Sequence, residues 1–323
     1  GTAMFVPLIY NLGNRIIRGQ YIEPCECPKA GDPSLPADET LTQREIFAYK
    51  EPSLSYADDP LLALLAPAVG WMLPFYPASL GSHCNSRGLT DLGDYFIREM
   101  MKKKLILEVD HMSSKMLNSV LDIAEEYDYP VVSSHTSVVE GKGDEAAKGI
   151  KQLERIRNLG GISAPILIQG NGSGTIADPP IPGTDCKISS KSWAQVYVYV
   201  SRIMQQGTTF TGVPLSTDFN GFATMPSPRF GPKGCSGNEE QCAGQENPVV
   251  YPFAAHAGQG EFQRLTTGNR VFDINTDGVA NYGLLPDFIQ DLKQVGLTDR
   301  DLEPLFNSAE AYIRMWERIE SKK

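Results

Sequence analysis

Three short apolar runs in this sequence each end in residues that can do metal or acid–base chemistry. Leu105 to Val109 runs into Asp110-His111, Pro130 to Ser133 into Ser134-His135, and Gly212 to Ser216 into Thr217-Asp218. A neutral imidazole offers a lone pair to Zn2+ or a similar borderline metal, and a carboxylate can ligate or carry a proton. Alone, a histidine in such a place is more often a helix cap or a partner for a carbonyl. Two of the chain's four histidines fall at these run ends, with Asp218 at a third, and the combination points to metal binding or catalysis. Asp110 directly precedes His111 and is read as a residue that orients its neighbours from behind the ligands. Arg229, in Pro226-Ser227-Pro228-Arg229-Phe230, follows Asp218 on the same connection and is read as a contact for an anionic substrate, a solvated loop arginine being the alternative. His83 and His256 read as structural.

The elements that must position these residues follow from periodicity. Thr90 is a helix N-cap, with Leu92, Tyr95, Phe96 and Met100 at helical spacing behind it and Lys102-Lys103-Lys104 at the C-terminal end. Ser114 reads as the cap of a second helix with Leu117, Val120, Leu121 and Ala124 on one face. A third helix is expected near 145–159, stopped by Gly160-Gly161, then a strand over 162–168 and a fourth helix over 190–206. Two helices near 285–295 and 299–319 close the chain. Strands alternating with helices imply βαβ units and a parallel α/β sheet whose strand C-termini share one face. Four strands are too few for a closed eight-stranded barrel and fit an open doubly wound sheet equally well, although no GxGxxG stands at a strand–helix junction.

Composition narrows the function classes. The 323 residues carry 29 Lys+Arg against 39 Asp+Glu, a net charge of −10, which argues against a phosphate-backbone binder. Residues 1–88 lack sustained periodicity and read as an excursion without a sheet of its own, with a helix over 4–17. The uncharged run 60–86 is interrupted by Pro67, Pro74 and Pro77, so it reads as an apolar lid, a membrane-touching surface being the alternative. Six cysteines in loop sequence favour disulfides and an extracytoplasmic setting, periplasmic or secreted, and Cys235 and Cys242 read as closing a small loop. The run Asp273-Ile274-Asn275-Thr276-Asp277-Gly278 reads as turn chemistry, because Leu284 stands where a calcium loop needs its bidentate acid.

The segments Leu89-Thr90-Asp91-Leu92-Gly93, Leu105 to Ser113, Pro130 to Thr136, Ser216 to Gly221 and the tail from Leu305 to Trp316 resemble the membrane (renal-type) dipeptidase family of amidohydrolase-like TIM barrels. The resemblance covers residues 83–320. It implies a metal-dependent hydrolase cleaving a peptide or amide bond, with one or two Zn2+ ions. His111 and His135 would be metal ligands, and Asp218 would shuttle the proton of the attacking water. It also implies that the chain is the C-terminal half of a (β/α)8 barrel. Residues 1–88 would be a long insertion after a barrel strand and 89–323 the βα units and terminal helices. No His-x-Asp pair occurs in the chain, so the first-strand ligands would come from an N-terminal barrel half, as a second chain or a missing segment. A start at Gly1 rather than Met fits that expectation. The family's substrate-binding arginine is not evident; the stretch after His135 offers Lys142 and Lys148 instead. A catalytically changed scaffold with a tailoring, binding or structural role is the alternative. The expected partners are a peptide-like small molecule and the other barrel half, with a homo-oligomer compatible and nucleic acid excluded.

Overall fold

A computed structural model of the chain describes residues 88–138, 147–168, 186–207, 212–219, 225–258 and 260–322, with 24–26 and 83–85 as backbone only. The helix expected over 4–17 and nearly all of the uncharged run 60–86 lie outside the described residues. The amino-terminal region does contain a ladder, contrary to expectation. β1 (Pro24–Glu26) pairs antiparallel with β2 (His83–Asn85), Cys25 standing opposite Cys84 in register. Alternation could not signal a ladder of three residues per strand.

α1 (Asp91–Lys102) starts where Thr90 Oγ1 accepts the Gly93 N–H at 3.1 Å, and Asp91 and Asp94 suit its positive end. Its buried side is Ile97 and Met101, one turn apart, rather than the expected stripe: Leu92, Tyr95 and Phe96 are 75%, 62% and 60% exposed. Both sets have helical spacing, and only the packing partner decides which set is covered. β3 (Leu107–Glu108) follows, then α2 (Ser114–Glu126). Ser113, not Ser114, is the α2 cap, its Oγ accepting from Met116 N. The expected α2 face of Leu117, Val120, Leu121 and Ala124 is buried.

β4 (Val131–Thr136), α3 (Ile150–Asn158), β5 (Ile162–Pro165) and α4 (Ser190–Gln205) complete the alternation. α3 begins at Ile150; residues 145 and 146 are outside the described set. The sheet runs β3-β4-β5, parallel throughout, with Leu107 beside Val131 and Val132 beside Ile162. The run before Asp218 joins next to β5, through a parallel bridge between Ile166 and Ser216 and a 2.8 Å bond from Leu167 N–H to Ser216 O. Each strand thus lies beside its predecessor with a helix between, as βαβ units require. The fold class is α/β, as the alternation implies.

Behind the sheet, α4 contributes Trp193 and Tyr197, both fully buried and stacked with ring centroids 5.0 Å apart. α5 (Glu239–Ala243) and α6 (Ile274–Asp277) are short, and α6 starts at Asp273, whose carboxylate accepts from Asn275 N, as the turn reading implies. α7 (Leu285–Gln294) sets Phe288 edge-on against Trp193. The final expected helix is two, α8 (Asp299–Phe306) and α9 (Ser308–Glu320). Pro304 gives its carbonyl to Val213 N–H at 2.9 Å, and Asn307 separates the two helices.

Among the described residues a disulfide joins Cys186 to Cys235, 49 residues apart, and Cys242 is a free thiol, which corrects the expected small loop. Asn238 caps α5 through Gln241 N, and Cys242 on that helix points its Sγ at the carbonyls of Arg229 and Gly231. Among the described residues no helix is long and apolar enough to cross a membrane.

Candidate metal centre

The first two run ends meet as the parallel order demands. His111 follows β3, His135 lies near the end of β4, and their Nε2 atoms are 2.6 Å apart with ring centroids at 4.6 Å. Local backbone geometry aims both rings. The β4–β5 register slips between Ser133 and Thr136, placing one extra residue on β4, and His135 sits in that irregularity. Such bulges redirect a side chain at the end of a strand. His111 and Asp218 both have left-handed backbone, φ 60° and 44°. Non-glycine residues hold that conformation against its cost only when their surroundings impose it, and such residues concentrate at functional sites.

Asp110 stands behind the pair and is 8% exposed. Its Oδ1 accepts from Ser133 Oγ at 2.6 Å and Lys148 Nζ at 2.7 Å, and its Oδ2 accepts the His135 backbone N–H at 2.8 Å. The same Oδ2 is 3.4 Å from His135 Nδ1, which also lies 3.0 Å from Ser134 Oγ. With Nδ1 engaged there, Nε2 is the nitrogen that faces His111. Glu108 completes the surround, its Oε1 accepting from Asp110 N–H at 2.9 Å and from Ser134 N and Oγ at 3.3 and 3.2 Å.

Charge states follow from these contacts. Burial alone pushes the Asp110 carboxyl up, but the Lys148 ammonium and the hydrogen bonds from Glu108, Lys148 and Ser133 hold it well below the usual carboxylate range. Burial, then the neighbouring Asp110, push Glu108 up. Burial first and the His135 ring second hold His111 below the ordinary imidazole value, with Lys148 helping and Asp110 and Asp218 opposing. A ring kept neutral near pH 7 is in the state that ligates a metal.

The donor set suits a divalent ion. Two imidazoles converge, one backed by a carboxylate, which is the pattern that fixes ring orientation and raises ligand basicity. Donor atoms of Glu108, Asp110 and His135 also lie within 4.8 Å of one another. The oxygens of Asp110 are already taken by Ser133, Lys148 and the His135 backbone, whereas the facing Nε2 atoms of the two histidines are engaged with each other. At 2.6 Å the two nitrogens make an N–H···N bond. Two nitrogens on one tetrahedral zinc, each about 2.0–2.1 Å from it, stand about 3.3 Å apart, so a metal would replace that bond and spread the rings slightly.

The chain is similar in structure to amidohydrolases and dipeptidase-type metallopeptidases. One is an amidohydrolase from Pseudomonas aeruginosa, 17% identical, covering 72% of this chain and 57% of its own at a TM-score of 0.42. Another is a metallopeptidase from Rhodobacter sphaeroides bound to a phosphinate mimic of L-Ala-D-Ala, 16% identical, covering 75% of this chain and 52% of its own at 0.41. A third is dipeptidase AC, a metallopeptidase of family M19, 16% identical, covering 72% and 50% at 0.41. The chain spans about half the length of these structures. No family profile and no curated protein matches it.

Asp218 is exposed at the end of its run, and its charge is felt at His111. Tyr282 holds this segment: its Oη donates to Phe219 O at 2.9 Å, and its ring meets Phe219 edge-on at 4.7 Å. Arg229 is not brought to the cluster. It is 2% exposed, and its guanidinium donates to Asp291 Oδ1 at 2.6 Å and to the carbonyls of Glu246 and Asn247 at 2.7 and 2.8 Å. A guanidinium so engaged ties the connection after Asp218 to α7, which replaces the expected substrate contact. His256 stacks on Phe306 at 3.8 Å, a structural placement as expected. The side chain of His83 lies outside the described residues. Ser133 and Tyr282 are not legible in the sequence: a serine within a strand and a tyrosine 64 positions beyond Asp218 carry no local signal.

Proposed function

We propose that this chain supplies the two-histidine side of a metal-dependent hydrolase centre that cleaves a peptide or amide bond. The observation that carries the reading is the convergence of His111 and His135 Nε2, with Asp110 behind one ring and the charge of Asp218 at the other. A divalent ion there, Zn2+ by the resemblance, would act as a Lewis acid and lower the pKa of water. The chain's own residues do the rest. The histidines bind through Nε2 while Asp110 holds the His135 ring in place. Asp218 Oδ takes a proton from the attacking water and returns one to the leaving amine.

The parallel order from β3 to Ser216 supports reading the sheet as four consecutive strands of a (β/α)8 barrel. Further βα units, on a second chain or a longer one, would close it and bring the remaining ligands. The Cys186–Cys235 disulfide supports an extracytoplasmic setting. The test is zinc analysis of the natural assembly after dialysis, with a panel of dipeptides and N-acyl amides as substrates. One or two zinc ions, at least one of them lost together with hydrolysis in His111→Ala, is the expected result. An assembly that retains no divalent metal overturns the proposal.

A further inference from the structure

Lys148 is 0% exposed, and its ammonium lies 2.7 Å from Asp110 Oδ1. An ammonium is costly to bury unless it is paired. Here the pairing acts on one carboxylate whose other oxygen faces His135. Lys148 is also fixed to the strand that bears His135, since its backbone N–H donates to Ser137 O at 2.7 Å and it bridges in parallel to Val138. A chain of hydroxyls also runs from the carboxylate. Ser133 Oγ bonds Asp110 Oδ1, Thr136 Oγ1 is 2.5 Å from Ser133 Oγ, and Ser163 Oγ is 2.8 Å from Thr136 Oγ1. The carboxylate is therefore held at Oδ1 by two donors, which leaves Oδ2 directed at the His135 N–H and at Nδ1.

We infer that Lys148 is a positioning residue for the candidate metal centre: it anchors Asp110, and Asp110 in turn orients the His135 ring and keeps its proton on Nδ1. The inference deepens the proposed metal reading and rests on it. The contact through which Lys148 acts on the His135 ring is its bond to Asp110 Oδ1. A merely structural ion pair would stabilise the fold equally well without setting the His135 tautomer. The two roles therefore separate when the ring itself is observed.

The experiment uses the 323-residue chain as wild type, K148M, D110N and K148M/D110N. Histidine ring 15N shifts are read without metal at about pH 8, above the ordinary imidazole pKa of about 6.5. Co2+ affinity is read from the visible spectrum, with circular dichroism as the check on folding. In wild type the His135 proton is expected on Nδ1. In K148M the two tautomers mix and Co2+ affinity falls roughly 10- to 100-fold, the usual effect of losing support behind a ligand. The double variant should bind Co2+ no more weakly than D110N, because the lysine acts through Asp110. A folded K148M with wild-type 15N shifts and Co2+ affinity overturns the inference, and so does a double variant whose loss multiplies the two single losses. Where K148M does not fold, K148M/D110N, which buries no lone charge, is compared with D110N, and further loss of affinity overturns it. If the wild-type chain by itself binds no Co2+, the 15N shifts still decide the role of Lys148, and the metal reading is decided on the natural assembly.

Discussion

At the residue scale the candidate site separates groups that would touch a metal or substrate from groups that hold them. Asp218 belongs to the first kind. Asp218→Asn is expected to lower kcat by roughly 10²- to 10⁴-fold in the metal-loaded assembly, as loss of a general base does, while metal affinity stays within a few-fold. Steady-state kinetics beside a metal titration checks this; equal losses in both would make Asp218 a ligand instead. Asp110 belongs to the second kind and gives a pH dependence. Its carboxyl lies below the usual range in the folded chain, so its contribution is present above the unfolded value of about 3.9 and is lost as pH falls from there through the depressed folded value. The melting temperature is expected to fall with acidification from about pH 5, and to fall less steeply in Asp110→Asn. Arg229 is structural. Removing it leaves Asp291, itself buried, with the Ser190 hydroxyl but without its cation. Arg229→Met is expected to cost about 3–5 kcal/mol, measured by chemical denaturation.

At the element scale, the C-terminal ends of neighbouring parallel strands do the positioning. The register slip in β4 turns His135 towards His111, so deleting the extra residue would redirect every side chain after it. The Cys186–Cys235 bond ties the N-terminal end of α4 to the connection after Asp218, where Ser236 Oγ also donates to Lys187 O at 3.2 Å. Closing 49 residues by one bond is worth about 4 kcal/mol in loop entropy, so Cys186→Ser should lower stability by about 2–5 kcal/mol. Peptide mapping after alkylation is expected to find Cys186 linked to Cys235 and Cys242 alkylated. A Cys235–Cys242 link would show that the pairing is wrong.

At the scale of the whole molecule, apolar surface remains exposed on α1, where Leu92, Tyr95 and Phe96 form one patch. Contiguous apolar surface of this kind promotes association. Phe96→Glu is expected to reduce concentration-dependent association in sedimentation velocity while changing stability by no more than about 0.5 kcal/mol, as exposed positions allow. At the other end of the chain, α9 is held by exposed ion pairs, Asp128 with Arg318 at 2.6 Å and with Lys322 at 2.7 Å. Pairs so exposed contribute little singly; buried Met315 and Ile319 are the stronger attachment.

The amino-acid sequence by itself determined the alternation of strands and helices, the α/β class and the residues His111, His135 and Asp218, because periodicity and strand ends are local signals. It also marked Asp110 as an orienting residue from its place beside His111. It could not decide which side of α1 is covered, since Leu92, Tyr95 and Phe96 have the same helical spacing as Ile97 and Met101. Nor could it decide the partner of Cys235, the burial of Arg229 against Asp291, or the hold of Lys148 on Asp110. Each of these joins residues 38 to 62 positions apart, and such pairings arise only when the chain packs. Tertiary structure alone therefore determined that Asp110 turns to His135 and that Lys148 stands behind it. A carboxylate and a buried ammonium share no sequence pattern, and desolvation makes each require the other.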